Sequence, residues 1–445
     1  MGMIRFTLIL LLSSSAFAQS VRLTFQDAVK MGLENNVALG QQRNQLFVTQ
    51  VNQTSGLLQM APNISASADA GRFDGNSFNQ QLGKVVNGQT DFVNGRIGAS
   101  VPIFGGFSQL NQYRQAKSQN EAQLQFIGRT QQDVIRNVAF QYLTCLLNQQ
   151  LMRIDQQNVQ TQKAQYDQIA AQVALGSRAE ADLYNQDFQV KNAELLLVRS
   201  SNQFKNALAT LAQTILIDPT LNYELEDPAW ETQITELESA KLDELIVLAS
   251  EKRPDLKQAD FIMKANQFGY AARKGQLLPN LSAFGGLSSR YNYIYDFSDN
   301  RPFNEQFRKD NRQFNYGLSL TVPIFAGFQN RALMVQNKIL YENSKLSLRA
   351  TEITVKNDVL RAYQNFQDAQ TSYVSADAQL KSAELSYTME KERYDLGISN
   401  IVQLTTSQQA LVRAQSDYAS ARYTLMFQKL LLNYATGTLK PEDIP

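Results

Sequence analysis

The segment Ser100-Val101-Pro102-Ile103-Phe104-Gly105-Gly106-Phe107 recurs 221 positions later as Thr321-Val322-Pro323-Ile324-Phe325-Ala326-Gly327-Phe328. Each copy ends a stretch that alternates like a β-strand and precedes a long polar stretch with helical periodicity. Other landmarks recur at the same distance, among them Leu175-Gly176 with Leu396-Gly397. Several landmarks in one order, over a period too long for a solenoid repeat, predict a duplicated half-protein.

The two halves differ in length upstream of the repeated segment. Pro62-Asn63-Ile64-Ser65 resembles Pro279-Asn280-Leu281-Ser282 at a distance of 217 positions, whereas the repeated segments are 221 positions apart. Loops absorb changes in length more readily than helices or strands do. We therefore expect the extra residues of the second half in the loop of a hairpin.

The chain divides into five predicted segments. They are a signal peptide at 1–18, a first repeat at 19–213, an irregular connector at 214–240, a second repeat at 241–437 and a tail at 438–445. Arg5, a following apolar run and Ala16-Phe17-Ala18 are typical of a secretory signal, although a buried N-terminal helix is the alternative. Gln19 follows the predicted cut where a lipid anchor would need cysteine. No later stretch has the roughly 18 uninterrupted apolar residues that a membrane-spanning helix needs.

The composition excludes several classes of function. A formal net charge of +1 gives no reason to expect binding to nucleic acid. The chain has no histidine, and it shows no phosphate-binding loop, dinucleotide fingerprint, nucleophile motif or cluster of metal ligands. We therefore predict no enzyme activity, no catalytic residue, no cofactor and no metal. Cys145 is the single cysteine, and its place on an apolar stripe with Val138 and Tyr142 predicts a small buried side chain.

Two polar stretches have the periodicity of very long helices. From about Gln109 to Leu175, apolar residues recur three and four positions apart, without proline. A helix of roughly 67 residues would extend about 100 Å, a length that indicates coiled-coil packing. The second half repeats this helix from about Asn330 to Leu396. Four shorter helices are predicted at 24–60, 178–212, 241–275 and 400–434.

The stretches 63–103 and 280–324 each predict a pair of strands. In the second stretch the odd positions are mostly apolar or aromatic, and the even positions are mostly polar. One apolar and one polar face is the pattern of outer-membrane barrel strands, in which Tyr291, Tyr293 and Tyr295 would belong to an aromatic girdle. A soluble sheet with two different faces is the alternative.

Four strands cannot close a barrel, and an open sheet edge is not tolerated in lipid. Two chains would share a barrel of eight strands, which side chains fill, and three chains would share a barrel of twelve, which can leave a lumen. The repeated segments then mark where a membrane strand becomes a periplasmic helix. Pro102 and Pro323 suit a strand end, and Gly105, Gly106 and Gly327 allow the bend into the helix.

Over essentially the whole mature chain, these features resemble the TolC-like outer-membrane efflux proteins. The resemblance rests on the duplication, the two Val-Pro-Ile-Phe junctions, the long helices, and the turn Tyr394-Asp395-Leu396-Gly397 followed by Leu404. It implies a mainly α fold with membrane β-structure, in which three chains share a 12-stranded β-barrel and a periplasmic α-barrel. It also implies a homotrimer in the outer membrane of a Gram-negative bacterium, in contact with outer-membrane lipid and without a nucleic-acid partner. Its other implied partners are a periplasmic adaptor and an inner-membrane transporter.

The resemblance further implies a closed gate at the far periplasmic ends of the helices. Tyr394 matches the family's gate tyrosine, and Asp182 matches an acidic or polar gate position. Gln403 is the counterpart of Asp182 in the second half, and Thr406 follows one turn on. Both are uncharged where the family's best-known member has aspartates, so a strongly anionic constriction is not expected. From the residues alone, Asp182 could equally favour a helix N-terminus through the helix dipole, and Tyr394 could pack in the core.

Two turns, Leu175-Gly176-Ser177 and Leu396-Gly397-Ile398, follow the long helices and are the predicted contacts with the adaptor. Glycine at this place is typical of a helix C-terminus. The predicted function is a passive channel that exports small molecules or proteins from the periplasm or the inner-membrane pump to the exterior. The alternative is a periplasmic coiled-coil scaffold, which would explain the helices but not the amphipathic strand pairs.

Overall fold

The computed structural model describes residues 21–79, 83–221, 223–227, 241–295 and 298–440. The predicted signal peptide lies outside the described residues, as do parts of the predicted connector and tail. The strands are β1 (Val21–Leu23), β2 (Asn63–Asn79), β3 (Lys84–Gly105), β4 (Tyr223–Leu225), β5 (Asn280–Ile294) and β6 (Gln313–Thr321). The main helices are α1 (Phe25–Asn35), α2 (Val37–Leu58), α3 (Ser108–Ala174), α4 (Glu180–Ile215), α5 (Leu242–Lys252), α6 (Pro254–Gly275), α7 (Gln329–Asp395) and α8 (Ile401–Thr436). Helices α3 and α7 each span 67 residues, so the two predicted long helices are confirmed.

The helix that precedes each strand pair is divided into two helices, α1 and α2 in the first half and α5 and α6 in the second. The prediction of one helix at 24–60 is wrong, because the chain leaves the helical conformation at Asn36, with φ −62° and ψ 117°. The Asn36 side chain accepts a hydrogen bond of 2.9 Å from the Leu39 amide and so caps α2. The prediction of one helix at 241–275 is wrong at Arg253, with φ −61° and ψ 123°. A proline follows Arg253, and the residue before proline disfavours the helical region.

Contacts divide the chain into two units, and each unit contains parts of both repeats. The first unit consists of Met1–Gln42, Ile127–Pro254 and Glu352–Pro445, and the second of Arg43–Phe126 and Asp255–Thr351. The long helices α3 and α7 each continue from one unit into the other. The sequence repeats and the compact units are therefore different divisions of the chain.

The core of the first unit is built on the predicted apolar stripe of α3. Ile135, Val138, Tyr142 and Cys145 are fully buried there. Burial raises the pKa of the Cys145 thiol to about 12, so the thiol stays protonated at neutral pH. The prediction of a small buried side chain at Cys145 is confirmed.

A small sheet that the sequence did not predict lies against this stripe. Strand β1 pairs in parallel with β4, so the connector predicted as irregular carries a strand. The Tyr142 hydroxyl lies 2.8 Å from the carbonyl oxygen of Leu23 and 2.7 Å from that of Glu226, at the ends of the two strands. Strands of three residues are too short to show a recognisable alternation, which is why the pattern missed them.

A buried arginine holds the break between α5 and α6 against the end of α8. Arg253 is 2% exposed, and its Nη1 donates to Asp358 Oδ2 at 3.0 Å and to the Ala435 carbonyl at 3.4 Å. Gly437 ends α8 with φ 76°, and a Cβ atom there would lie 2.7 Å from Cα of Arg253. The guanidinium therefore donates to the Ala435 carbonyl, one of the helix C-terminal carbonyl groups that have no partner within the helix.

We expect Arg253→Ala to lower the free energy of unfolding by about 2–4 kcal/mol, because it empties the volume of a buried side chain and takes a charged donor away from the buried Ala435 carbonyl. Denaturant unfolding of the full-length protein in detergent measures the loss. Arg413→Ala is the control, since Arg413 is exposed and lies 3.8 Å from its carboxylate partner; it should change the stability by less than about 1 kcal/mol. Equal stabilities of the two variants would contradict a structural role for the buried arginine.

The second unit contains one antiparallel sheet of four strands, in the order β2-β3-β5-β6. Its two hairpins correspond to the two predicted strand pairs. Residues 295–312 join β5 to β6 and include a helical loop, which we define as Phe303–Asp310. This connection is longer than the one between β2 and β3, whereas β5 and β6 are shorter than β2 and β3, so the extra residues of the second half lie within this hairpin. Strands β2 and β6 form the two edges of the sheet within the chain.

Candidate functional site

The sheet of the second unit has one apolar and one polar face. Directly paired residues project from the same face of a sheet, and the register pairs Val93 with Tyr291 and Ile97 with Leu287. The apolar face carries Ala66, Ala68, Ala70, Val93, Ile97, Ala99, Ala283, Leu287, Tyr291, Leu318 and Leu320. The polar face carries Ser65, Ser67, Asp69, Asn94, Arg96, Ser282, Ser288, Arg290, Asn315 and Ser319. Apolar side chains of the edge strand β6 are largely exposed, and an exposed apolar surface of this kind is typical of contact with a membrane or another protein.

Aromatic residues form a cluster at one end of the apolar face. The rings of Tyr293 and Tyr295, both predicted for a girdle, are 5.1 Å apart. The helical loop adds Phe303, 5.2 Å from the Tyr291 ring, and Phe307, which stacks on Phe303 at 5.0 Å. Sequence reasoning missed these two phenylalanines because they lie outside the alternating strands. The sequence signal was a glycine within a strand, at Gly95, which indicates that another group approaches the backbone closely. In the structure that group is the Phe307 ring, which would lie 2.7 Å from a Cβ atom at Gly95.

The junctions between strand and helix differ from the prediction in detail. Pro102 does not end its strand: it pairs with Ser282 inside β3, where a bulge before Phe104 accommodates the missing amide proton. Gly105 is the last residue of β3. Pro323 lies beyond the end of β6, as expected.

The bend into each long helix uses two residues in the left-handed conformation. Gly106 and Phe107 have φ 60° and 61°, and Gly327 and Phe328 have φ 56° and 64°. The glycines were predicted at the bends, but left-handed phenylalanines are uncommon and were not predicted. Gly106 has a second constraint, because a Cβ atom there would lie 2.1 Å from the carbonyl oxygen of Gly275. The backbone of the first junction is thus packed directly on the end of α6.

The turns that follow the long helices share one C-terminal capping motif. Gly176 has φ 71°, and the Ser177 amide donates to the Gln172 carbonyl at 3.0 Å. Gly397 has φ 73°, and the Ile398 amide donates to the Arg393 carbonyl at 2.8 Å. Both patterns are Schellman caps, in which glycine takes the left-handed position. The turns expose large apolar side chains, with Leu175 84%, Leu396 74% and Ile398 67% exposed.

Tyr394 and Asp182, both predicted as gate residues, are brought together by Arg178. Tyr394 is buried, and its hydroxyl accepts a hydrogen bond from Arg178 Nη1. The guanidinium carbon of Arg178 lies 5.4 Å from the centre of the Tyr394 ring, and its Nε lies 3.6 Å from Asp182 Oδ2. Sequence reasoning missed Arg178, although an arginine four residues before an aspartate at a helix start is a recognisable pair.

Asp182 lies at the start of a helix, as one of its two interpretations requires, and its place in a gate stays a prediction. It lies in the first turn of α4, where a carboxylate interacts favourably with the helix dipole. The same carboxylate orients Arg178 toward Tyr394. The segment between α3 and α4 is therefore connected to the end of α7 by a hydrogen bond and an ion pair. We call these three residues, Arg178, Asp182 and Tyr394, the tip cluster.

The second turn has a separate polar group around Gln403. Ser399 Oγ donates to the Glu390 carboxylate and lies 2.8 Å from Gln403 Oε1. The Gln403 amide donates to Asn400 Oδ1 at 3.0 Å, so Asn400 caps α8. Thr406 Oγ1 donates to a carbonyl of its own helix. In the part of the chain that the structure describes, no hydrogen bond joins Gln403 or Thr406 to the tip cluster.

A layer of buried and half-buried amides, which we call the buried amide layer, connects α3 with α4 and α8. Gln186 Nε2 donates to Gln162 Oε1 at 2.7 Å, and Gln165 Nε2 donates to Gln408 Oε1 at 3.0 Å. Gln408 Nε2 in turn donates to Asn158 Oδ1 at 3.1 Å. Polar residues at buried coiled-coil positions specify the register of the helices at a cost in stability. The glutamine-rich composition indicated a polar helix surface but did not identify which amides are buried.

Among the helices that the structure describes, none combines the length and the apolar character needed to cross a membrane. Across the described residues, no group of three or more histidine, cysteine, aspartate or glutamate side chains could hold a metal ion.

The sequence matches the family described as "Outer membrane efflux protein" over residues 28–215 and 245–438. It is 23% identical over 434 residues to "Outer membrane protein TolC" of Vibrio cholerae serotype O1, covering 97% of this chain and 94% of that protein. It is 22% identical to "Pyoverdine export outer membrane protein OpmQ" of Pseudomonas putida, covering 69% of this chain and 63% of that protein.

Solved structures show the same fold. The outer membrane protein VceC of Vibrio cholerae superimposes with a TM-score of 0.79 at 12% identity, covering 93% of this chain and 96% of VceC. The MtrE outer membrane channel of Neisseria gonorrhoeae, in its open state, gives a TM-score of 0.75 at 17% identity, covering 94% and 90%.

Proposed function

The chain belongs to the outer membrane efflux protein family, and on this premise we propose that it is a trimeric export channel served by a periplasmic adaptor and an inner-membrane transporter. It is an outer membrane protein with a large periplasmic portion. The proposal assigns residues 1–18 to a signal peptide that export removes. It requires no catalytic residue, cofactor or metal of the chain itself.

The two free edges of the amphipathic sheet carry the proposal. Each edge strand, β2 and β6, has backbone donors and acceptors without a partner in the sheet. In lipid these groups must be paired, and four strands are too few to close on themselves. Pairing β6 of one copy with β2 of the next would close the ring, and three copies would give twelve strands with room for a lumen. The apolar face would then contact outer-membrane lipid, and the polar face would line the channel.

The junctions support the passage from membrane to periplasm. Helices α3 and α7 begin directly after the left-handed pairs at Gly106 and Gly327. In the trimer, the helices of the three chains would form a periplasmic α-barrel that continues the lumen. The buried amide layer would fix their register while allowing neighbouring helices to exchange hydrogen-bond partners on opening.

The tip cluster is the proposed lock of the periplasmic gate. A partly buried hydrogen bond from a guanidinium to a tyrosine, further oriented by a carboxylate, is stronger than a bond between neutral groups. It connects the turn after α3 with the end of α7, so the two turns would separate only when Tyr394 releases Arg178. Gln403 and Thr406 are the proposed uncharged lumen residues of the second turn.

The exposed turns are the proposed docking surface for the adaptor. Leu175, Leu396 and Ile398 present apolar side chains on rigid capped turns, which suits insertion into apolar pockets of a partner. Gly176, Ser177 and Gly397 would shape these turns rather than contribute contact area. The duplication would place two such turns on each chain, so the trimer would offer a nearly sixfold ring of sites.

Membrane fractionation of a Gram-negative host expressing the full-length protein tests the proposal. We expect the protein in the outer membrane, released by detergent, with the mass of three chains in the detergent extract. A protein that stays soluble without detergent, or that is extracted as a single chain, would contradict the channel and favour the periplasmic coiled-coil scaffold.

A further inference from the structure

Two arginines stand out on the polar face of the four-stranded sheet. Arg96 on β3 lies opposite Ser288 on β5, and Arg290 on β5 lies opposite Asn94 on β3. The two residues are therefore diagonal neighbours on one face, at a typical separation of about 7–8 Å. Both side chains are exposed. Within the described residues, neither has a carboxylate within ion-pair distance.

The acidic residue of this face does not neutralise them. Asp69 accepts a hydrogen bond of 2.7 Å from Asn94 Nδ2, which occupies one of its oxygens with a neutral donor. We consider the polar face over residues 63–71 of β2 and over the segments of β3, β5 and β6 aligned with them. This part of the face carries two guanidinium groups and one carboxylate. Asp69 is itself a diagonal neighbour of Arg96 without forming an ion pair, so the three side chains leave one net positive charge on this part of the face.

The opposite face gives a contrast within the same sheet. Arg72 lies there, and its Nε donates to Asp91 Oδ1 at 2.6 Å while its Nη2 donates to the Tyr295 hydroxyl at 2.6 Å. On the apolar face, Arg72 thus has both a carboxylate and a hydroxyl partner. The unpaired arginines lie on the face that the proposed channel turns toward water.

We propose that Arg96 and Arg290 make the membrane part of the channel selective for anions, so that solutes bearing carboxylate, sulfate or phosphate groups pass in preference to cations. The proposal rests on the proposed function, because it needs the polar face to line a lumen. Rings of arginine and lysine favour anions in pores. In a trimer, symmetry would repeat both arginines around the lumen, and their planar guanidinium groups would offer bidentate contacts to oxyanions.

The test is the potential at zero current across a planar bilayer holding the purified full-length protein under a gradient of potassium chloride. Salt near about 0.1 M keeps the Debye length close to 10 Å, so that wall charges act on the permeating ions. We expect chloride to be more permeant than potassium by about threefold or more. The Arg96→Gln/Arg290→Gln double variant should bring that ratio to about one, and the Arg96→Glu/Arg290→Glu variant should favour potassium.

Arg72→Gln is the matched control, since it removes the same charge from the opposite face. It should keep the ion preference of the unmodified protein, and pores in every variant would show that each one assembles. An unchanged permeability ratio in both double variants would overturn the anion-selective role while leaving the channel intact. Absence of pores in all proteins would overturn the channel itself.

Discussion

Replacing Gly106 with alanine should abolish the folded assembly, whereas the same replacement of Gly327 should be tolerated. The two glycines occupy matching positions of the two halves and share a left-handed conformation, which costs a non-glycine residue roughly 1–2 kcal/mol. Their surroundings differ. A Cβ atom at Gly106 would lie 2.1 Å from the Gly275 carbonyl oxygen, and a Cβ atom at Gly327 would meet no atom within 4 Å.

Alanine at Gly106 must therefore push two backbone segments apart, and we expect a cost of about 3 kcal/mol or more in addition to the conformational strain. The measurement is the yield of detergent-extracted protein with the mass of the assembly, together with its thermal unfolding. Gly327→Ala is the matched control, with an expected cost of about 1–2 kcal/mol. Similar losses in both variants would show that conformation alone, and not the contact with Gly275, decides the role of the first junction.

Replacing Tyr394 with phenylalanine should increase the open fraction of the channel strongly. The change keeps the buried ring and removes the hydroxyl that accepts the hydrogen bond from Arg178. Because Arg178 is partly exposed to solvent, we expect a loss of about 1 kcal/mol in each chain, which is below the range for a buried bond to a charged group. If the three tips open together, the loss is about 3 kcal/mol, or about a hundredfold in the equilibrium between closed and open states.

Open probability in single-channel recordings measures this effect. Tyr373→Phe is the control, since Tyr373 lies on the same helix and its hydroxyl lies 3.3 Å from that of Tyr418, outside the tip cluster. We expect its open probability to equal that of the unmodified protein. If Tyr394→Phe and Tyr373→Phe behave alike, the tip cluster does not hold the gate.

The long-range organisation of the chain could be predicted from the sequence because it depends on repeated patterns. The 67-residue helices, the capped glycine turns and the alternating strands each follow from the spacing of residue types over many positions. The fold class could be predicted from these patterns and from the family resemblance, which rests partly on the doubled Val-Pro-Ile-Phe junction. These features average over many residues, so single exceptions do not obscure them.

The errors concern single residues whose neighbours decide their role. Asn36 breaks a helix because its own side chain caps the next one, a local choice that periodicity does not register. Pro102 stays within its strand because the partner strand allows a bulge. Arg178 joins the tip cluster through a contact with a residue 216 positions away along the chain. Such contacts between distant segments depend on how the helices and strands pack together, so they cannot be predicted from a local sequence pattern.

Single-channel recording on the purified full-length protein decides whether this chain builds an export channel. We expect stepwise ion conductance across a planar bilayer, with long closed periods for the unmodified protein and sustained open levels for Tyr394→Phe. A protein that is folded and extracted with the mass of three chains, yet gives no conductance in either form, would contradict the claim that this chain builds an export channel.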